Sequence, residues 1–154
     1  MRDVLRAGPP DLERLIALMT EFYAEADFPL NPARAAAAFL PLLERDDLGC
    51  VWLLRADGAA VGYVALTYCW SLEFGGRCAW VEDLFVRRDF RRRGLGRAAL
   101  RQVRAECEAL GVRAIHVEVG RQNDAAQSVY RAAGLFEVDR QLLTLPLAAP
   151  THAD

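Results

Sequence analysis

The sequence predicts a mixed α+β fold in which an antiparallel meander gives way to alternating helices and strands. Three observations lead there. Apolar runs at residues 50–54, 60–67 and 78–86 are separated by two turn signals, Ala56-Asp57-Gly58 and Phe74-Gly75-Gly76-Arg77. From Gly94 onward the apolar period becomes helical, with Gly111 and Gly134 as stops. A length of 154 residues, 53% hydrophobic and 26% charged, suits one domain over 1–154 with ample material for a core.

Taken in order, Val4 to Arg6 reads as a short strand. Gly8-Pro9-Pro10-Asp11 breaks it and caps a helix whose apolar residues Leu12, Leu15, Ile16, Met19 and Phe22 recur at helical spacing. Asn31-Pro32 opens a second helix that runs through alanines to Leu43. The three meander strands follow, the last from Cys78 to Val86. A helix from Gly94 to about Leu110, a strand from Ala114 to Val119 and a helix from Ala125 to Ala133 come next. Two more strands are expected, around Phe136 and over Leu142–Leu147, with a loose tail at 148–154.

Charge narrows the partners. A net charge of -2 argues against nucleic-acid binding by overall charge, since sequence-independent affinity for a phosphate backbone comes from positive charge. Locally the balance reverses: eight arginines lie between Arg87 and Arg104, with Asp89 as the only acid among them. An RNA-binding module would need aromatic residues interleaved with those arginines, and only Phe90 lies there. The chain contains no lysine, which carries no functional reading. Cys50, Cys69, Cys78 and Cys107 form no C-x-x-C pair, and His116 and His152 stand in unrelated contexts, so neither zinc nor any other metal is expected. Without a signal-peptide pattern or about 18 consecutive apolar residues, no membrane association is expected and the cytoplasm is the default.

The most informative run is Arg91-Arg92-Arg93-Gly94-Leu95-Gly96-Arg97-Ala98, at the junction of a strand and a helix. Two glycines two residues apart let the backbone bend sharply, and the helix that follows aims free N–H groups and its positive dipole end into the bend. A phosphate or pyrophosphate fits such a cradle. The run lacks the Gly-Lys-Ser/Thr ending of a P-loop and the third glycine of a dinucleotide fingerprint.

With this loop, the segment Val81-Glu82-Asp83-Leu84-Phe85-Val86 and the stretch from Asn123 through Tyr130 to Gly134-Leu135, the chain resembles the GNAT superfamily of acetyl-CoA-dependent N-acetyltransferases. Arg91-x-x-Gly94-x-Gly96 matches the family's loop pattern, and Asn123, Tyr130 and Gly134 match its later one. The resemblance implies a central, mostly antiparallel sheet of six to seven strands flanked by about four helices in three layers. It also implies acetyl-CoA as cosubstrate and a homodimer. Backbone groups from Arg92 through Ala98 would hold the pyrophosphate, with Arg91, Arg92, Arg93 and Arg97 adding charge at the rim. Main-chain groups of Leu84, Phe85 and Val86 would bond the pantetheine arm, with Asn123 and Ala126 at the start of the later helix.

Acetyl transfer to an amine needs a proton acceptor for the amine and an acid for the departing thiolate. A carboxylate in a mostly apolar strand suits the first task, because desolvation raises its pKa and its charge attracts an ammonium group. Simple alternation puts Glu82 on the face with Trp80 and Leu84, and Asp83 on the face with Val81 and Phe85; a bulge would spoil that parity. Glu82 is the favoured base, since the segment most resembles the Glu-Asp strand of polyamine and diamine acetyltransferases. By the same resemblance Tyr130 is the acid. Tyr23, Phe28, Trp70, Glu73 and Asp83 supply aromatic walls and carboxylates for a small-molecule amine. Peptide N-termini and a catalytically silent acetyl-CoA sensor stand as the alternatives.

Overall fold

A computed structural model describes residues 1–151, which leaves His152 outside the described residues. The elements are β1 (Arg2–Arg6), α1 (Leu12–Ala24), α2 (Pro32–Glu44), β2 (Gly49–Ala56), β3 (Ala59–Ser71), β4 (Gly76–Val86), α3 (Leu95–Ala109), β5 (Ile115–Val117) and α4 (Asp124–Ala132). The strands form one sheet in sequence order, antiparallel from β1 to β4, with β5 added parallel to β4. The turn between β2 and β3 follows from its residues. Asp57 and Gly58 both have positive φ, 53° and 82°, the mirror-image geometry that matches the twist of a hairpin.

The sheet separates two cores. On one face Cys50, Trp52, Leu54, Val64, Leu66, Ala79 and Val81 pack against Leu95, Ala99, Leu100, Val103 and Cys107 of α3, with Tyr130 of α4. On the other, Val51, Leu53, Tyr63, Ala65 and Phe85 pack against Leu15, Leu18 and Met19 of α1 and Ala35 and Phe39 of α2. This is the three-layer arrangement expected, with four α-helices.

Among the described residues the strands number five rather than six to seven. β5 is confined to three residues, shorter than the expected Ala114–Val119, and no strand forms around Phe136 or over Leu142–Leu147. So short an edge offers few backbone partners. Pro146 also lacks an N–H for any ladder that the second segment would build.

One irregularity decides what faces where. Across the β3–β4 pair Ala65 lies opposite Asp83 while Leu66 lies opposite Val81, so Glu82 is an extra residue in β4. The bulge turns Val81 toward the α3 core and Asp83, with Phe85, toward the α1–α2 face. Simple alternation, which would put Val81 and Asp83 on one face, therefore fails at this point.

Candidate active site

β5 pairs with β4 at Ala79, Trp80 and Val81 only, and Val81 is the last residue in that register. Beyond it the outer edge of Glu82–Val86 has, among the described residues, no strand beside it, while β3 holds the inner edge. Among the described residues a gap thus opens in the sheet at the bulge. Asp83 enters from the α1–α2 side and accepts a hydrogen bond from the Tyr63 hydroxyl at 2.7 Å. Its pKa is raised from 3.8 to about 6, first by burial and then by the charge of Glu82, against the lowering effect of the Tyr63 bond.

Tyr130 enters from the other side. It is buried at the C-terminal end of α4, and among the described residues its hydroxyl has no hydrogen-bond partner. Burial and then the charge of Asp83 raise its pKa to about 12, which keeps the phenol protonated at neutral pH. Tyr23 of α1 is pushed to about 12 as well, by burial and then by Asp83, with a hydrogen bond to Thr151 opposing and Glu82 adding a smaller effect. One carboxylate is therefore felt by tyrosines of both layers.

Glu82 behaves differently from its neighbour. It is exposed, accepts a 2.6 Å hydrogen bond from Thr67 Oγ1, and lines an open pocket of about 400 Å³ with Trp80, Val81, Glu118 and Leu142. Tyr23, Phe28, Trp70 and Glu73, expected around an acceptor, do not line this pocket. Phe28 and Trp70 are exposed, and Glu73 is held by Arg140 at 2.7 and 3.0 Å. Trp80, Glu118 and Leu142 were not foreseen. Trp80 neighbours the expected Glu82–Val86 segment in the sequence, whereas Glu118 and Leu142 are brought to it only by the fold.

The arginine-glycine loop lies just beyond β4. Gly94 is the N-cap of α3 with φ of 83°, in the left-handed region that favours glycine, and it precedes the free N–H groups of Leu95, Gly96 and Arg97. Gly96 lies in the first turn, where a Cβ would make an ordinary van der Waals contact with Val129 Cγ1 of α4 at 3.5 Å. Two ion pairs bind the loop to α1: Arg87 to Glu21 at 2.6 and 2.7 Å, and Arg91 to Glu25 at 2.7 Å. Arg91 also donates from Nε to the Val86 carbonyl at 2.7 Å. Its guanidinium is thus engaged in fixing the loop, Arg93 lies over the Phe90 ring, and Arg92 and Arg97 are exposed. Asn123 caps α4 by accepting from the Ala126 N–H at 3.1 Å, which places both residues in the cap itself.

Comparisons with known proteins bear on the family and the fold. A family model described as the acetyltransferase (GNAT) family matches residues 12–135. An uncharacterized N-acetyltransferase of Methanocaldococcus jannaschii is 31% identical over 97 residues, which is 62% of this chain and 42% of the relative; the chain thus spans less than half the length of that relative. Among solved structures, an integron cassette protein from the mobile metagenome of Cole Harbour Salt Marsh is 43% identical. It superposes with a TM-score of 0.90 over 97% of this chain and 93% of its own. The aminoglycoside N-acetyltransferase AAC(6')-Iy, solved with CoA, is 20% identical with a TM-score of 0.80 over 96% of each chain, a likeness of fold alone.

Proposed function

We propose that this chain, which belongs to the acetyltransferase (GNAT) family, moves the acetyl group of acetyl-CoA to a primary amine of a small molecule by direct attack in a ternary complex. The observation that carries this reading is that Asp83 and Tyr130, from opposite layers of the sheet, lie near enough for the charge of one to raise the pKa of the other, on a strand that parts from β5 and leads to the bent N-terminus of α3. The residues present suit the cosubstrate. The N–H groups at the start of α3 are donors for a pyrophosphate, with Arg92 and Arg97 at the rim. The unpaired edge of Leu84, Phe85 and Val86 offers main-chain partners to an amide-bearing arm, although Arg91 already uses the Val86 carbonyl. CoA in AAC(6')-Iy, a protein of the same fold, supports the assignment.

In the step proposed, the amine nitrogen attacks the thioester carbonyl carbon, the C–S bond breaks, and the ammonium proton passes to a carboxylate. Tyr130 donates its proton to the departing sulfur. A largely buried carboxylate with a pKa near 6 is ionised at neutral pH yet close enough to it to accept a proton, which favours Asp83 over the exposed Glu82 as base. Glu82 and Glu118 at the pocket mouth would draw in a cation. A small-molecule acceptor is supported by this acidic pocket and by the aminoglycoside enzyme of the same fold; polyamines and diamines belong to the same cationic class.

The test is acceptor-dependent release of CoA thiol across polyamines, aminoglycosides, amino acids and short peptides. Tyr130→Phe should lower kcat by about 10²–10⁴-fold with the KM for acetyl-CoA little changed. Loss of rate in Asp83→Asn but not in Glu82→Gln would assign the base to Asp83; the reverse would return it to Glu82. A normal rate in Tyr130→Phe would remove the acid from the scheme, and acetyl-CoA binding without turnover on any amine would favour a sensor.

A further inference from the structure

Among the described residues no ion pair includes Asp83, and no side chain other than Tyr63 donates a hydrogen bond to it. The titratable groups that face it from the packed elements are Glu82 beside it in β4, Tyr63 of β3, Tyr23 of α1 and Tyr130 of α4. One is a carboxylate and three are phenols, so no cation opposes the tendency of a buried carboxylate to take up a proton. A single hydroxyl remains to do so.

Tyr63 is held for that contact. It is wholly buried, with its ring edge-on to Phe39 at a centroid distance of 5.8 Å and tilted against Phe85 at 6.4 Å. The register explains its reach. Ala65 lies directly opposite Asp83 and carries only a methyl group, so the diagonal neighbour on β3, Tyr63, supplies the 2.7 Å bond. Burial and then the charge of Asp83 push the Tyr63 phenol well above its ordinary range, so it stays protonated and stays a donor. Its bond takes up Oδ2 of the carboxylate, and among the described residues Oδ1 accepts no hydrogen bond. Such a bond is stronger to the charged carboxylate than to the neutral acid, and it works against burial and the Glu82 charge, which favour the acid.

We propose that Tyr63 is a positioning residue for the base: its hydroxyl keeps the Asp83 carboxylate charged and engages Oδ2, which leaves Oδ1 to take the proton that the acceptor nitrogen gives up. The proposal rests on the reading of Asp83 as the base.

The test is Tyr63→Phe, which removes one oxygen and keeps the ring. In a carbon-13 NMR titration of the aspartate carboxyls, with the Asp83 resonance identified by its loss in Asp83→Asn, the pKa of Asp83 should rise by about 1–2 pH units in the variant. On a polyamine or aminoglycoside that the parent acetylates, the ratio of variant to parent kcat/KM should fall to roughly a tenth at pH 6.5 and recover at pH 9. An unmoved pKa overturns the inference, and a rate loss equal at every pH beside it marks a merely structural role. A pKa that rises while the pH–rate limb stays in place upholds the grip of Tyr63 on Asp83 and removes Asp83 as the base instead. If the variant misfolds, the parent decides: the Tyr63 hydroxyl proton should shift with the titration of Asp83, and a hydroxyl proton indifferent to it refutes the contact.

Discussion

Asp83→Asn is expected to make the protein more stable and less active at the same time. A pKa raised from 3.8 to about 6 means that the folded state holds the Asp83 proton more tightly than the unfolded chain does. The stability this contributes is fully present below pH about 4 and is lost as pH rises through about 6, where folding must carry a largely buried charge. Two pH units correspond to on the order of 3 kcal/mol. Asparagine carries no such charge and can still accept the Tyr63 hydroxyl bond. At pH 7.5 the variant should therefore unfold at a higher temperature than the parent, by up to about 6–12 °C at roughly 2–4 °C per kcal/mol for a domain of this size. At pH 4.5 most of that advantage should vanish. Thermal unfolding followed by circular dichroism across this range measures the difference, and parallel curves for the two proteins would refute the reasoning. The parent's rate should rise through an apparent pKa near 6, and that limb should be missing from whatever rate the variant keeps.

Other perturbations test the frame of the site. Gly94→Ala places a Cβ on a residue with φ of 83°; it should cost about 1–2 kcal/mol and raise the KM for acetyl-CoA, and an unchanged KM in saturation kinetics would dismiss the cradle. Gly62→Ala would put a Cβ 2.1 Å from the Phe85 carbonyl oxygen, so β3 and β4 must separate; a loss of about 1–3 kcal/mol or more is expected in urea unfolding. Asn123→Ala removes the cap of α4 and should cost about 1 kcal/mol by the same assay, with Tyr130 less firmly held and kcat reduced in step.

The elements that could be read from the chain are those whose signals are local. Asn31-Pro32 does start α2, with the Asn31 side chain accepting from the Ala33 and Arg34 N–H groups at 3.1 and 3.2 Å. Asp57-Gly58 turns the hairpin, and Gly94 bends before α3 with the positive φ that its loop requires. What escaped depends on partners far along the chain. The ties of Arg87 and Arg91 to Glu21 and Glu25 span 66 residues, so no local signal announces them. The strand pattern at Leu142–Leu147 is real in composition, but a strand exists only where another backbone is ready to pair with it. Likewise the choice between Glu82 and Asp83 rests on where β4 gains its extra residue. Only the register with β3 reveals that position.

That extra residue makes β4 resemble a text with a shifted reading frame. Ahead of Glu82 the odd-numbered residues Ala79 and Val81 belong to the α3 core; after it the even-numbered Leu84 and Val86 take that side, and the odd-numbered Asp83 and Phe85 take the other. Deleting Glu82 would change the length of the chain by one residue and leave every other letter intact. The strand would then run from Val81 straight to Asp83, opposite Leu66 and Ala65, and simple alternation would leave each on the side of the sheet it already faces. What the loss would remove is the bulge and, with it, the exposed carboxylate that lines the pocket, so a shortening at this point separates the contribution of Glu82 from that of the two faces of the strand.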